Sequence, residues 1–175
     1  MNIPHENQKT LKLSMVHLVC VIVGIAFLSW SPTVHAKSLS LEEGQPIPVA
    51  TLIGKEGESI SLDTLKGQVT VVSIVPQLNT PVCDEQTHRF SEQNEGLDKF
   101  IAFVTMSTNT HTDQTKFAKE ANIHNMTFLS DAPDFRFGRQ TGLLLEDIDI
   151  LHRAVIVLDA DSIIRYVEIV PMSQL

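Results

Sequence analysis

The run from Gln68 to Val75, QVTVVSIV, is dense in β-branched residues but lacks the in-and-out alternation of a strand with one wet face. A strand of that composition is satisfied only when apolar layers cover it on both sides. Pro76 ends it, because proline has no N–H to give to a sheet ladder. Whatever this chain folds into, residues 68–75 belong at the centre of a layered structure.

The neighbouring segments supply the layers. Residues 37–48, KSLSLEEGQPIP, read as an extended lead-in, and VATLIG, the turn KEGE and SISLDTLKG as a small N-terminal β-hairpin. Beyond the loop after Pro76, CDEQTHRFSEQNEGLDKF sets Cys83, Phe90 and Leu97 at the spacing of one helical stripe. IAFVTMST is a second buried strand, HTDQTKFAKEAN a second helix, MTFLSD a third strand and PDFRFGRQTG a short helix closed by Gly142. RAVIVLD then turns through ADS into IIRYVEIV, a closing hairpin. The order predicts an α/β fold with a mixed central β-sheet and crossover helices on both faces, without an internal repeat or a second domain.

With 175 residues, 43% of them hydrophobic, and a formal charge of -8, the chain suits one globular domain plus an appendage. An acidic surface repels phosphate backbones, so no nucleic acid partner is expected. The appendage is residues 1–36: Lys9 and Lys12, an apolar stretch from Leu13 to Trp30, then Val34, His35 and Ala36. This reads as a secretory signal cut before Lys37, leaving residues 37–175 as an exported, periplasmic domain. The competing reading is an uncleaved anchor, although the Pro32 break and the Val-His-Ala site have no role in one. Cys20 lies in the leader as an apolar filler, so the domain keeps one thiol, Cys83, and no tryptophan.

A lone thiol in an exported chain cannot form an internal disulfide, so it is either buried and inert or free and reactive. Thr80 suits a helix N-cap, Pro81 the first helical position, and Cys83 then stands third. Unpaired amides and the helix dipole favour a thiolate there, which is the nucleophilic form. Asp84 and Glu85 work against it, and a fixed cation from elsewhere would strengthen the case.

The pattern of Pro76, Thr80 and Cys83 at a strand-to-helix junction resembles the active-site loop of peroxiredoxins, and VPQLNTPVCDEQT resembles the thiol peroxidase subfamily. The resemblance continues through MTFLSD, FGRQTGLLLED, LHRAVIVLD and YVEIVP, and so spans Gly44 to Pro171. It implies a thioredoxin-like fold and reduction of hydrogen peroxide and organic hydroperoxides, with no cofactor and an external thiol reductant. It also implies a homodimer. By position Cys83 matches the peroxidatic cysteine, Thr80 the hydroxyl that holds the peroxide, Pro76 the residue shaping the pocket and Arg153 the guanidinium beside the sulfur. The chemistry needs these types, since the leaving oxygen departs with negative charge and requires donors aimed at it.

Two departures stand out. Many relatives carry a resolving cysteine on the next helix, and aligning FAKEANIHN puts Ala118 in its place. The expectation is therefore a one-cysteine enzyme, with a redox-sensing or interaction protein of little turnover as its rival. A thiol-disulfide oxidoreductase ranks below both, because Thr80 stands where a Cys-x-x-Cys motif needs sulfur. Secondly, VEIVPMSQL stops where relatives continue into a further helix, which would uncover part of the sheet. His88, His111, His124 and His152 lack close metal-ligand spacing, so no metal is expected.

Overall fold

The computed structural model describes residues 40–170. The expectations for the leader and for residues 171–175 lie outside the described residues. Along the chain the strands are β1 (Thr51–Ile53), β2 (Ser59–Ser61), β3 (Thr70–Ile74), β4 (Ala102–Ser107), β5 (Thr127–Ser130), β6 (Leu144–Leu145), β7 (Ile150–Leu151), β8 (Arg153–Leu158) and β9 (Ile164–Val170). The α-helices are α1 (Pro81–Glu92), α2 (His111–Glu120) and α3 (Arg136–Thr141).

Seven strands form one mixed sheet in the order β2-β1-β5-β4-β3-β8-β9. The β3 strand sits inside it, parallel to β4 and antiparallel to β8, so both of its edges are paired. The β4–β5 pair is parallel, the β1–β2 hairpin adds antiparallel at one edge, and the β8–β9 hairpin closes the other. The expected architecture is borne out, including the N-terminal hairpin and the central position of residues 68–75. Val72 and Ile74 are fully buried and Ser73 is 1% exposed, as a doubly covered strand requires.

Period-two alternation divides the covering layers. Val72, Ile74, Val104, Met106 and Leu129 point to one face, where Phe137 of α3 completes the larger apolar cluster. Phe103 and Phe128 point to the other, where Phe103 meets Phe90 of α1 and Phe128 meets Phe117 of α2. Each such side chain taken fully from water stabilises the fold by about 1.5–3 kcal/mol.

The first helix is shorter than the stripe Cys83, Phe90, Leu97 predicts. Asn94 ends it: the side-chain nitrogen donates to the carbonyls of Phe90 and Ser91 at 3.1 and 2.8 Å, and Oδ1 accepts from the Gly96 amide at 2.9 Å. Glu95 and Gly96 then turn left-handed, with φ of 53 and 82°. Leu97 begins a separate 3-10 turn, Leu97–Lys99, and is 51% exposed. The buried stripe of α1 is instead Cys83 and Thr87, with Phe90 half-buried.

The sequence reading also passed over the β6–β7 ribbon, an antiparallel pair of two residues a side. Its strands are too short to show a period. Gly138 lets α3 approach it closely, since a Cβ there would stand 2.5 Å from Leu151 Cδ2 and 3.0 Å from Leu144 Cβ.

Candidate active site

The end of β3 and the start of α1 place the thiol. Pro81 occupies the first turn, Thr80 takes the extended N-cap conformation with φ -99° and ψ 145°, and Cys83 follows two residues into the helix. First-turn amides have no partner inside the helix, so the sulfur lies at its electropositive end. Cys83 is 1% exposed and packs with Val75, Leu78, Ile123 and Phe128.

Thr80 caps this helix through its backbone alone. Its carbonyl accepts from the Asp84 amide at 2.9 Å, while its hydroxyl donates to the Gln77 carbonyl at 3.1 Å. In α2, by contrast, the Thr110 hydroxyl accepts from the Asp113 amide at 3.2 Å. Thr80 is thus the N-cap that the sequence reading expected, and its hydroxyl keeps both lone pairs free of the helix.

The cation comes from β8, the antiparallel neighbour of β3 in the sheet. Arg153 is 7% exposed, and its Nη2 donates to the Cys83 Sγ at 3.2 Å. Its Nη1 donates to Gln86 Oε1, and Gln86 Nε2 in turn donates to Ser73 Oγ at 2.8 Å. The guanidinium is thus held from two sides, one of them anchored to the central strand. The acids that oppose a thiolate are turned along the outer face of α1: Asp84 lies 3.5 Å from His88, and Glu85 accepts from Arg89 at 2.6 Å.

Pro76, Thr80, Cys83 and Arg153, the four residues singled out in the sequence, line one pocket of about 200 Å³ together with Gln77, Val82 and Ile150. Gln86 and Ile150 had escaped notice, and Gln77 offered nothing to read at its loop position. Gln86 carries a readable signal, since it stands one helical turn after Cys83 on the same side. Ile150 carries none, because the ribbon that brings it there is settled by packing. Ala118 lies on α2, half-buried against the cluster that contains Cys83. Among the described residues, no group of three His, Cys, Asp or Glu side chains is placed to share a metal ion.

A nucleophilic sulfur, a fixed cation and a hydroxyl around a small, mostly apolar pocket can bind a compact polar molecule and attack it in line. Comparison with known proteins agrees with that chemistry. Residues 42–174 match the redoxin family. A thiol peroxidase of Staphylococcus haemolyticus is 32% identical over 137 residues, covering 78% of this chain and 82% of that protein. One from Halalkalibacterium halodurans is 34% identical over 127 residues, covering 73% and 76%. Among solved structures, a peroxiredoxin-like protein from Aquifex aeolicus superposes with a TM-score of 0.68 at 30% identity, covering 75% of this chain and 77% of that one. The chain belongs to the redoxin family, as a peroxiredoxin of the thiol peroxidase type.

Proposed function

We propose that the protein reduces hydrogen peroxide and organic hydroperoxides through Cys83, in a cycle that uses one cysteine. The observation that carries this reading is the Arg153 guanidinium at 3.2 Å from the Cys83 sulfur, in a pocket that Thr80 also lines. The thiolate attacks the terminal peroxide oxygen, the S–O bond forms as the O–O bond breaks, and the departing alkoxide or hydroxide takes up a proton. Thr80 accepts from the terminal O–H, and Arg153 together with the first-turn amides stabilises the developing charge. Pro76 shapes the wall of the pocket and withholds an amide that would attract water.

The product is a sulfenic acid on Cys83. Because Ala118 stands where relatives resolve it internally, an external thiol condenses with it, releasing water and leaving a mixed disulfide. A second thiol then displaces Cys83 in its reduced form. The reductant is a thioredoxin-like protein or a small thiol. Export to the periplasm through the leader and assembly as a homodimer belong to the same proposal.

The test is the second-order rate of Cys83 oxidation in the full-length chain, followed by quenched mass spectrometry with hydrogen peroxide and an organic hydroperoxide. Thr80→Val and Arg153→Ala are expected to lose most of a rate far above that of free cysteine. A wild-type rate equal to free cysteine would overturn the proposal. Rapid oxidation without turnover under either reductant would instead assign the chain to redox sensing, the reading that the single free cysteine of the described domain favours.

A further inference from the structure

The loop that carries Pro76 and Thr80 needs an anchor that neither β3 nor α1 provides. Leu78, at its middle, is 1% exposed, so its amide cannot turn to water and has to find a partner within the protein. That partner is the side chain of Asn109, 31 residues further on, in the connection between β4 and α2: the Leu78 N–H donates to Asn109 Oδ1 at 2.9 Å.

Donor and acceptor arithmetic around Ser107 identifies that atom as oxygen. The Ser107 hydroxyl accepts from the Asn109 amide at 3.2 Å and from Gln114 Nε2 at 3.0 Å. Gln114 is oriented in turn because the same Nε2 donates to the Leu129 carbonyl at 3.0 Å. With both lone pairs of Ser107 taken, its single proton goes to Asn109 Oδ1 at 3.1 Å. The oxygen thus receives two protons, one from the end of β4 and one from the loop. The Asn109 carbonyl is also held, accepting from the Ser130 hydroxyl of β5 at 2.6 Å. Asn109 is therefore fixed to two parallel strands of the central sheet and reaches from them to the loop.

We propose that Asn109 is the positioning residue of the loop 76–80, setting through the Leu78 amide where Pro76 and Thr80 stand over Cys83. The proposal rests on the peroxidatic reading of Cys83. It requires an acceptor oxygen at this place and makes no use of the amide nitrogen, which has no hydrogen-bond partner among the described residues. Asn109 also borders a cavity of about 280 Å³ with Asp113 and Lys116, so the second oxygen of an aspartate can be accommodated.

The experiment compares Asn109→Ala, Asn109→Leu and Asn109→Asp in the full-length chain. Each is assayed for the rate of Cys83 with hydrogen peroxide and, separately, with iodoacetamide, which needs the sulfur but no aligned hydroxyl. Misplacing Thr80 is expected to slow the peroxide reaction of the Ala and Leu variants by about 10- to 100-fold, with alkylation unchanged or faster. Asn109→Asp is expected to recover most of the loss. A peroxide rate equal to wild type in the Ala variant overturns the proposal. So does an Asp variant as slow as Ala, or a loss shared in proportion by alkylation.

Exchange of the Leu78 amide, read by hydrogen–deuterium exchange, gives a measure that is independent of chemistry. Protection in wild type and Asn109→Asp with fast exchange in Asn109→Ala supports the pin, and equal exchange in all three overturns it. A wild-type chain with no peroxide reactivity would sink the function proposed above, while this exchange pattern would still decide the place of Asn109.

Discussion

The Arg153 guanidinium and the Cys83 sulfur, 70 residues apart in the chain, meet at 3.2 Å with both side chains almost wholly buried. The meeting depends on the sheet: antiparallel pairing sets Ala154 opposite Ile74, so Arg153 opens β8 beside the last residues of β3, from which the chain continues to Cys83.

Removing that cation tests its part directly. Arg153→Ala is expected to slow peroxide oxidation of Cys83 by about 100-fold or more, the usual cost of losing one donor aimed at developing charge. Arg153→Lys is expected to fall between, because a single ammonium cannot reach Gln86 and the sulfur together. Quenched mass spectrometry over a peroxide concentration series measures both.

Gln86 joins the central strand to the guanidinium, so Gln86→Leu leaves Ser73 and one arm of Arg153 without partners. The expected cost is about 1–3 kcal/mol of stability, accompanied by a slower peroxide reaction. Urea unfolding followed by circular dichroism reads the first and the oxidation assay the second.

Gly138 is tested by adding one methyl group. The new Cβ would collide with Leu144 and Leu151 of the β6–β7 ribbon, so Gly138→Ala is expected to destabilise the fold by about 1–3 kcal/mol. The ribbon also carries Ile150 into the pocket around Cys83, and a lower peroxide rate is expected alongside the lower unfolding midpoint.

Asp159 holds the turn between β8 and β9, accepting from the amides of Asp161 and Ile163 at 2.9 Å each and from Arg165 Nε at 2.8 Å. The Ile163 amide and then the Arg165 guanidinium keep its carboxyl below the ordinary value of 3.8. A group lowered on folding contributes stability above its unfolded pKa and loses it as pH falls through the folded one. Acid unfolding below about pH 4 should therefore be less steep in Asp159→Asn than in wild type, as read by circular dichroism across a pH series.

Asp131 is expected to behave in the opposite sense. Burial raises its carboxyl above the ordinary value, against the lowering effect of the Gly138 and Phe137 amides, which donate to it at 2.8 and 2.9 Å. A raised carboxyl contributes stability below its unfolded pKa and loses it as pH rises through the folded one. The stability of wild type relative to Asp131→Asn should therefore improve as pH falls from about 7 to about 4. No such trend in paired urea titrations would show that the desolvation is relieved by water.

Much of this was legible beforehand, and the parts that were not share a cause. Apolar, β-branched runs bounded by turn residues placed β3, β4, β5, β8 and β9, and helix start and stop signals placed the three helices, because both are settled within a few residues. The end of α1 was missed because it depends on one side chain, Asn94, folding back on the last carbonyls. The β6–β7 ribbon was missed because two residues carry no period. Thr80 was read as the helix N-cap and is one, but that its hydroxyl bonds to the Gln77 carbonyl instead of a helix amide is decided by the path of the loop.

The sequence by itself determined the kind of chemistry and the layers around it: a doubly covered strand halted by Pro76, a helix opened by Thr80 and Pro81, and a thiol in its first turn. Those features are local, and local sterics and hydrogen-bonding rules decide them within a few residues. The resemblance alone implied Arg153 beside the sulfur; only the tertiary structure decided how it gets there, that Gln86 holds its other arm, and that Asn109 supports the loop. These contacts join residues tens of positions apart, and strand order and register, set by the packing of the whole sheet, bring them within hydrogen-bonding distance.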